Sequence, residues 1–72
     1  MAEYTEEELE EMKKSDSWIV RFIAAREGYA LDELKNDLNS DVRYAVAKQG
    51  YALDELVNDQ LAYVREAALN NL

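Results

Sequence analysis

Apolar residues recur along this chain at helical spacing, but only in short stretches. Val42, Ala45, Val46 and Gln49 fall at i, i+3, i+4 and i+7, one face of a helix over roughly Ser40–Gln49. Val20, Ile23 and Ala24 give that face to a helix over Ser17–Glu27, and Val64, Ala67 and Ala68 to one over Ala62–Asn71. The alanines let neighbouring helices approach closely. Gly28 and Gly50 end the first two helices, where a residue without Cβ takes the left-handed C-cap conformation. Leu31 and Leu34, then Leu53, Leu56 and Val57, predict two short helices over Ala30–Asn36 and Ala52–Asn58. Asn36-Asp37 and Asn58-Asp59 are turn residues that lead into the next long helix. Ser40 is the expected cap of the second long helix, and Asp16 or Ser17 that of the first. Thr5 and Glu8 match a capping box and start a further helix with a thin stripe of Leu9 and Met12. Lys13-Lys14 suit the negative end of that helix's dipole.

The pattern has a period. Gly28-Tyr29-Ala30-Leu31-Asp32-Glu33-Leu34 recurs identically as Gly50-Tyr51-Ala52-Leu53-Asp54-Glu55-Leu56, an offset of 22. The same offset pairs Asn36-Asp37 with Asn58-Asp59 and aligns Val20-Arg21, Val42-Arg43 and Val64-Arg65. A seven-residue identity in phase with further matches is not chance in so short a chain. The chain therefore reads as one domain in four parts: an N-terminal capping helix in 1–14, units in 15–37 and 38–59, and a half-unit in 60–72. The predicted fold is all-α, a short solenoid in which long and very short helices alternate. Nothing in the third copy covers its long helix. Val64, Ala67, Ala68, Leu69 and Leu72 are expected to form an apolar edge, covered by a partner or by a homodimer through the C-terminal helix.

Composition then removes most chemistry. Among 72 residues there are sixteen acids, eight bases, no Cys and no His. That leaves no disulfide, no thiol nucleophile, no imidazole base and no ordinary zinc site. The N-terminus is acidic and no apolar run approaches a membrane span, so the expected setting is cytoplasmic. The net charge of -8 opposes direct binding to nucleic acid or to an anionic membrane. Half of that charge sits in residues 1–14, which carry six acids and two bases. Adjacent carboxylates such as Asp32-Glu33 point to different sides of a helix, which does not suit paired acid–base chemistry. No phosphate loop, metal-ligand cluster or nucleophile motif is present. The expectation is a protein without catalytic function and without cofactor or metal.

The stretch Leu56-Val57-Asn58-Asp59-Gln60-Leu61-Ala62-Tyr63-Val64-Arg65-Glu66-Ala67-Ala68 resembles the centre of a HEAT-type repeat. Leu34 to Ala47 carries the same pattern, with Val42-Arg43-Tyr44-Ala45-Val46-Ala47 at its heart. The unit is similar to short HEAT-like repeats, including the leucine-rich repeat variant, common in bacterial arrays. The resemblance covers roughly residues 16–71 and lacks the family's inter-helix Pro. It implies a scaffold fold that serves unrelated tasks. It also implies that Arg21, Arg43 and Arg65 form a structural ladder with Asp37 and Asp59, each Asp lying six residues before Arg43 or Arg65. A phosphate-binding row of arginines, as in the HEAT-like DNA glycosylases, is opposed by the surplus of acids.

Two groups of residues remain as candidates for binding. Trp18, Phe22, Tyr44 and Tyr63 lie on the long helices, with Trp18 and Phe22 on the side away from Val20 and Ala24. Leu9 and Met12 are expected to cover the first two rings, and Tyr44 and Tyr63 to escape cover as interface anchors. Tyr29 and Tyr51 are expected in the core. Glu6, Glu7, Glu10 and Glu11 make the N-terminal helix acidic, a surface that suits a partner with a basic face. The expected function is thus a non-catalytic protein–protein interaction module with acidic and aromatic residues on a rigid surface. The alternative is an acidic nucleic-acid mimic from a bacterial mobile element. It would inhibit a nucleic-acid-binding enzyme, in the manner of anti-restriction or anti-CRISPR proteins.

Overall fold

The computed structural model describes residues 3–72 and is all-helical over them, with six helices and no strand. They are α1 (Glu6–Lys13), α2 (Trp18–Arg26), α3 (Leu31–Leu34), α4 (Ser40–Lys48), α5 (Leu53–Leu56) and α6 (Ala62–Asn70). The long helices lie side by side, α4 between α2 and α6. Helix α1 packs on α2, α3 bridges α2 and α4, and α5 bridges α4 and α6. The result is compact, about 32 × 25 × 15 Å.

Local sequence explains where each element stops. Thr5 and Glu8 form the full capping box: the Thr5 hydroxyl accepts from Glu8 N at 3.1 Å, and Thr5 N donates to Glu8 Oε1 at 2.8 Å. Gly28 and Gly50 both sit at φ +80°, in the left-handed region. Each closes its helix with paired bonds: Gly28 N to Ala25 O and Tyr29 N to Ala24 O, then Gly50 N to Ala47 O and Tyr51 N to Val46 O. This is the Schellman arrangement, and it satisfies carbonyls that the last helical turn would leave open. Ala30 and Ala52 are also left-handed, at φ 56° and 57°, which costs a residue with a Cβ about 1–2 kcal/mol. Their methyl groups pack against the core, which offsets part of that cost.

The core is narrow. It consists of eleven buried residues, six of them alanines, with Val42, Val46 and Val64 the largest that are wholly enclosed. Small side chains bring helix axes together but each buries little area, so every unit relies on its neighbour. Ala24, Val42, Ala45 and Val46 are buried as the spacing predicts, whereas Val20 and Ile23 are only half-buried. The expected apolar edge shrinks to Leu69 and Leu72, because Val64, Ala67 and Ala68 are already buried where α6 packs on α4 and α5. Several finer expectations are corrected. Gln49 is exposed, and Ala47 takes its place in the core. Ser40 does not cap α4; Asn39 does, its Oδ1 accepting from Asp41 N at 2.8 Å and Val42 N at 3.3 Å. Ser17 stands at the start of α2 but makes no side-chain cap. Tyr29 is half-buried and Tyr51 is exposed, so neither is a core residue. No buried side-chain polar atom among the described residues lacks a partner.

Candidate interaction surface

The inter-unit ladder is the most regular feature. Arg21 Nε donates to Asp37 Oδ2 at 2.7 Å and Nη2 to Oδ1 at 3.1 Å. Arg43 repeats both distances on Asp59. These are two-pronged, charge-assisted contacts, the strong kind of side-chain hydrogen bond. The third guanidinium nitrogen reaches a carbonyl: Arg21 Nη1 to Ser15 O, Arg43 Nη1 to Asp37 O and Arg65 Nη1 to Asp59 O, each at 2.7 Å. The expected pairing of each Asp with the Arg six residues on is corrected, and Arg65 meets no carboxylate among the described residues. Each Asp gives its carboxylate to the Arg sixteen positions earlier, and only its carbonyl to the Arg six positions later. Burial raises the pKa of Asp59. The Arg43 hydrogen bond, the Leu61 N–H and the charges of Arg43 and Arg65 outweigh that and hold the carboxyl below its ordinary value. Both Arg21 and Arg43 are held more firmly protonated by their Asp partners.

A second recurrence was missed from sequence. Lys13 Nζ donates to Glu33 Oε2 at 2.7 Å, and Lys35 Nζ to Glu55 Oε2 at 2.6 Å. The donors differ by the same 22 residues as the acceptors. Residues 9–13 of the N-terminal helix are therefore in phase with the internal repeat: Leu9, Glu11 and Lys13 match Leu31, Glu33 and Lys35. The signal was present at the offset already found, but Met12 and Glu10 in place of Leu34 and Asp32 obscured it. These bridges join α1, α3 and α5 edge to edge. Glu10 also accepts from the Tyr29 hydroxyl at 2.6 Å, a contact that lowers its pKa and raises that of Tyr29.

This placement sorts the charge. The segments carrying α1, α3 and α5 (residues 3–14, 30–35 and 52–57) hold ten acids and three bases. The rest of the chain holds six acids and five bases. The -8 of the molecule is therefore almost entirely on one row of helices, of which residues 1–14 contribute only part. Glu6, Glu7 and Glu11 are exposed there and Glu10 is half-buried.

The aromatic candidates lie on the other row. Trp18, Phe22 and Arg26 fall at i, i+4 and i+8 on α2, and Ser40, Tyr44 and Lys48 hold the equivalent positions on α4. Trp18 meets Phe22 edge to face at 6.4 Å between centroids, and Tyr44 lies 5.6 Å from Tyr63. Arg26 covers the Phe22 ring and Lys48 the Tyr44 ring. Met12 packs against the core, but it does not hide Trp18, which is 39% exposed. Phe22 and Tyr44 are half-buried and Tyr63 is 37% exposed. The Tyr63 hydroxyl donates to Asp41 Oδ1 at 2.5 Å and accepts from the Ser40 hydroxyl at 2.6 Å, which fixes the ring across α4 and α6. Ile19 is 53% exposed beside Trp18 and extends the apolar strip; periodicity gave no reason to single it out.

Among the described residues no three carboxylates converge as a metal site, and no helix is long and apolar enough to cross a membrane. Comparison with protein-family models, curated proteins and solved structures finds no match to this chain.

Proposed function

We propose that the chain is a short solenoid of HEAT-like units whose work is non-catalytic protein–protein interaction in the cytoplasm. One observation carries this reading. Trp18, Ile19 and Tyr63 remain exposed on the long-helix row, beside Phe22 and Tyr44, and ring contacts hold Trp18 while ring contacts and hydrogen bonds hold Tyr63. Rigid, amphipathic rings are the usual anchors of binding hot spots because little side-chain freedom is lost on binding. That row is nearly neutral, with Arg26 and Lys48 stacked on the rings, so a partner for it needs no basic surface.

A second reading rests on a different observation, the gathering of ten acids on the α1, α3 and α5 segments. A one-sided acidic surface supports a nucleic-acid mimic that occupies the basic groove of an enzyme, with contacts that weaken in salt. One experiment separates the two. Affinity capture with mass spectrometry is run on the wild type, on Trp18→Ala/Tyr63→Ala and on Glu6→Lys/Glu7→Lys, at low and high salt. Loss of the captured protein with the aromatic pair, and retention with the charge pair at both salts, supports the interaction module. Loss with the charge pair and release by salt overturns it in favour of the mimic.

A further inference from the structure

The chain has sixteen acids for eight bases, yet two bases on one face take no acid. Lys13, Lys14, Arg21, Lys35 and Arg43 each hold a carboxylate. Arg26 and Lys48 are exposed, and their side chains make no ion pair or hydrogen bond among the described residues. Each lies instead over the ring four residues before it, Arg26 at 5.8 Å from the Phe22 centroid and Lys48 at 6.0 Å from that of Tyr44. A ring holds a cation in place without using its N–H groups, which stay free to donate. Glu66 lines a cleft with Lys48 and Tyr44 but forms no ion pair with it. The helix dipole suits a base in the last turn. That does not explain the rings, and α6 carries Glu66 and Asn70 at the same two places.

The two cations also have a fixed spacing. Gln49 Nε2 donates to Arg26 O at 2.9 Å, which ties the end of α4 to that of α2. Neighbouring helix axes stand about 8–10 Å apart. Along α2 the apolar strip continues to Trp18 and Ile19, 39% and 53% exposed. Both helices are flanked within the stack, α2 by α1 and α4, and α4 by α2 and α6. The open face therefore runs along the side of the row and not at its end.

We propose that this face of α2 and α4 docks an extended segment of another protein that carries two carboxylates three residues apart, with apolar side chains between them. An extended chain rises about 3.1–3.4 Å per residue, so three residues span about 9–10 Å, the separation of the two helices. The carboxylates meet Arg26 and Lys48, and the apolar side chains meet the rings. This rests on the long-helix row being the interaction surface and names the chemistry of its partner. Charge complementarity selects this occupant over a second copy. A copy offers carboxylates on α3 and α5, but Leu34 and Leu56 beside them are 4% exposed, turned into its own core. Both copies would also carry -8.

The test is an NMR titration of the 15N-labelled 72-residue chain with a capped peptide, Gly-Ser-Glu-Leu-Phe-Glu-Ser-Gly. A control peptide has Gln for both Glu. So short a ligand binds weakly, and the titration runs to about 5 mM. The expected result is a saturable set of shifts on α2 and α4, including the Trp18 indole N–H and the Arg26 side chain. The control peptide should bind at least about tenfold more weakly. Arg26→Gln/Lys48→Gln, at two exposed positions, should lose a similar factor toward the Glu peptide. An equal response to both peptides, or full binding by the double variant, would overturn carboxylate recognition and leave the aromatic surface standing. No saturable shift on α2 and α4 would overturn the docking site, while capture with Trp18→Ala/Tyr63→Ala still decides the wider reading. Shifts on this face that follow the concentration of the chain alone would overturn it by making a second copy the occupant.

Discussion

The turns between helices and the outer face of the long helices obey opposite rules. In the turns, one unit copies the next: Arg21–Asp37 and Arg43–Asp59 share their distances to a tenth of an ångström, and Gly28 and Gly50 share a φ of 80°. On the outer face the residue identities change from copy to copy, although Phe22 and Tyr44 each carry a cation over the ring. The position of Trp18 is Ser40 and then Ala62; that of Phe22 is Tyr44 and then Glu66; that of Ile19 is Asp41 and then Tyr63. Positions that must join one unit to its neighbour tolerate only one solution, because the same joint is made each time. Positions on the outer face vary, and where they do join two helices, as Tyr63 does through Ser40 and Asp41, the joint is made once. The varied set is where a function particular to this protein has room to be written.

The sharpest way to break that comparison is at the ladder. Asp59→Ala removes both prongs from Arg43, whose side chain is only 14% exposed, and leaves a cation with its partner gone. The expected loss is about 2–3 kcal/mol, in the range of a partly buried charge-assisted pair. In a chain with so thin a core that is a large share of the total stability. Asp37→Ala should cost a similar amount, since Arg21–Asp37 has the same geometry. Urea unfolding of the two variants measures this. A loss under about 0.5 kcal/mol in either would place the ladder with ordinary surface ion pairs and remove its claim to hold the units together.

Much of this region was legible in the sequence, and the exceptions have physical causes. Gly28, Gly50 and the Arg/Asp set stood out because identity at a fixed offset leaves no other reading. The register of the ladder was not legible. Sequence nearness favours the Arg six residues on, whereas the fold brings back the Arg sixteen residues earlier, and only packing of α3 on α2 makes that the shorter path. The role of residues 9–13 was hidden because substitutions at Glu10 and Met12 broke an otherwise matching run. At the outer face, periodicity placed Trp18, Phe22 and Tyr44 on one side of their helices, but exposure depends on what the neighbouring helix fails to cover. That is why Ile19 was overlooked and Tyr51 was assigned to the core.

The pH dependence sharpens the same point with a smaller effect. The folded-state pKa of Asp59 lies below its ordinary value. Such a group contributes stability that is fully present above its unfolded pKa, about 3.9, and is lost as pH falls through the folded value. The gap in stability between wild type and Asp59→Asn should therefore be constant from about pH 5 to 7 and narrow below about pH 4. Unfolding free energies measured at pH 7, 5, 3 and 2 check it. A gap that stays constant to pH 2 would mean that Asp59 holds Arg43 by shape and hydrogen bonding alone, without its charge.

The smallest expected effect belongs to the outer face. Tyr63→Phe removes the bonds to Asp41 and Ser40 but keeps the ring against Tyr44. Both lost partners are near solvent and find water, so the cost should be about 0.5–1 kcal/mol, well below that of the ladder. The physical content of the comparison is this ordering. If Tyr63→Phe destabilised the fold as much as Asp59→Ala, the ring would be a joint between α4 and α6, and its departure from the repeat would reflect packing. If stability holds while the Tyr63 ring gains mobility in NMR relaxation, the hydroxyl serves to hold the ring in one orientation. Fixing an exposed ring in advance helps binding, because the entropy of ordering it is not then lost on contact.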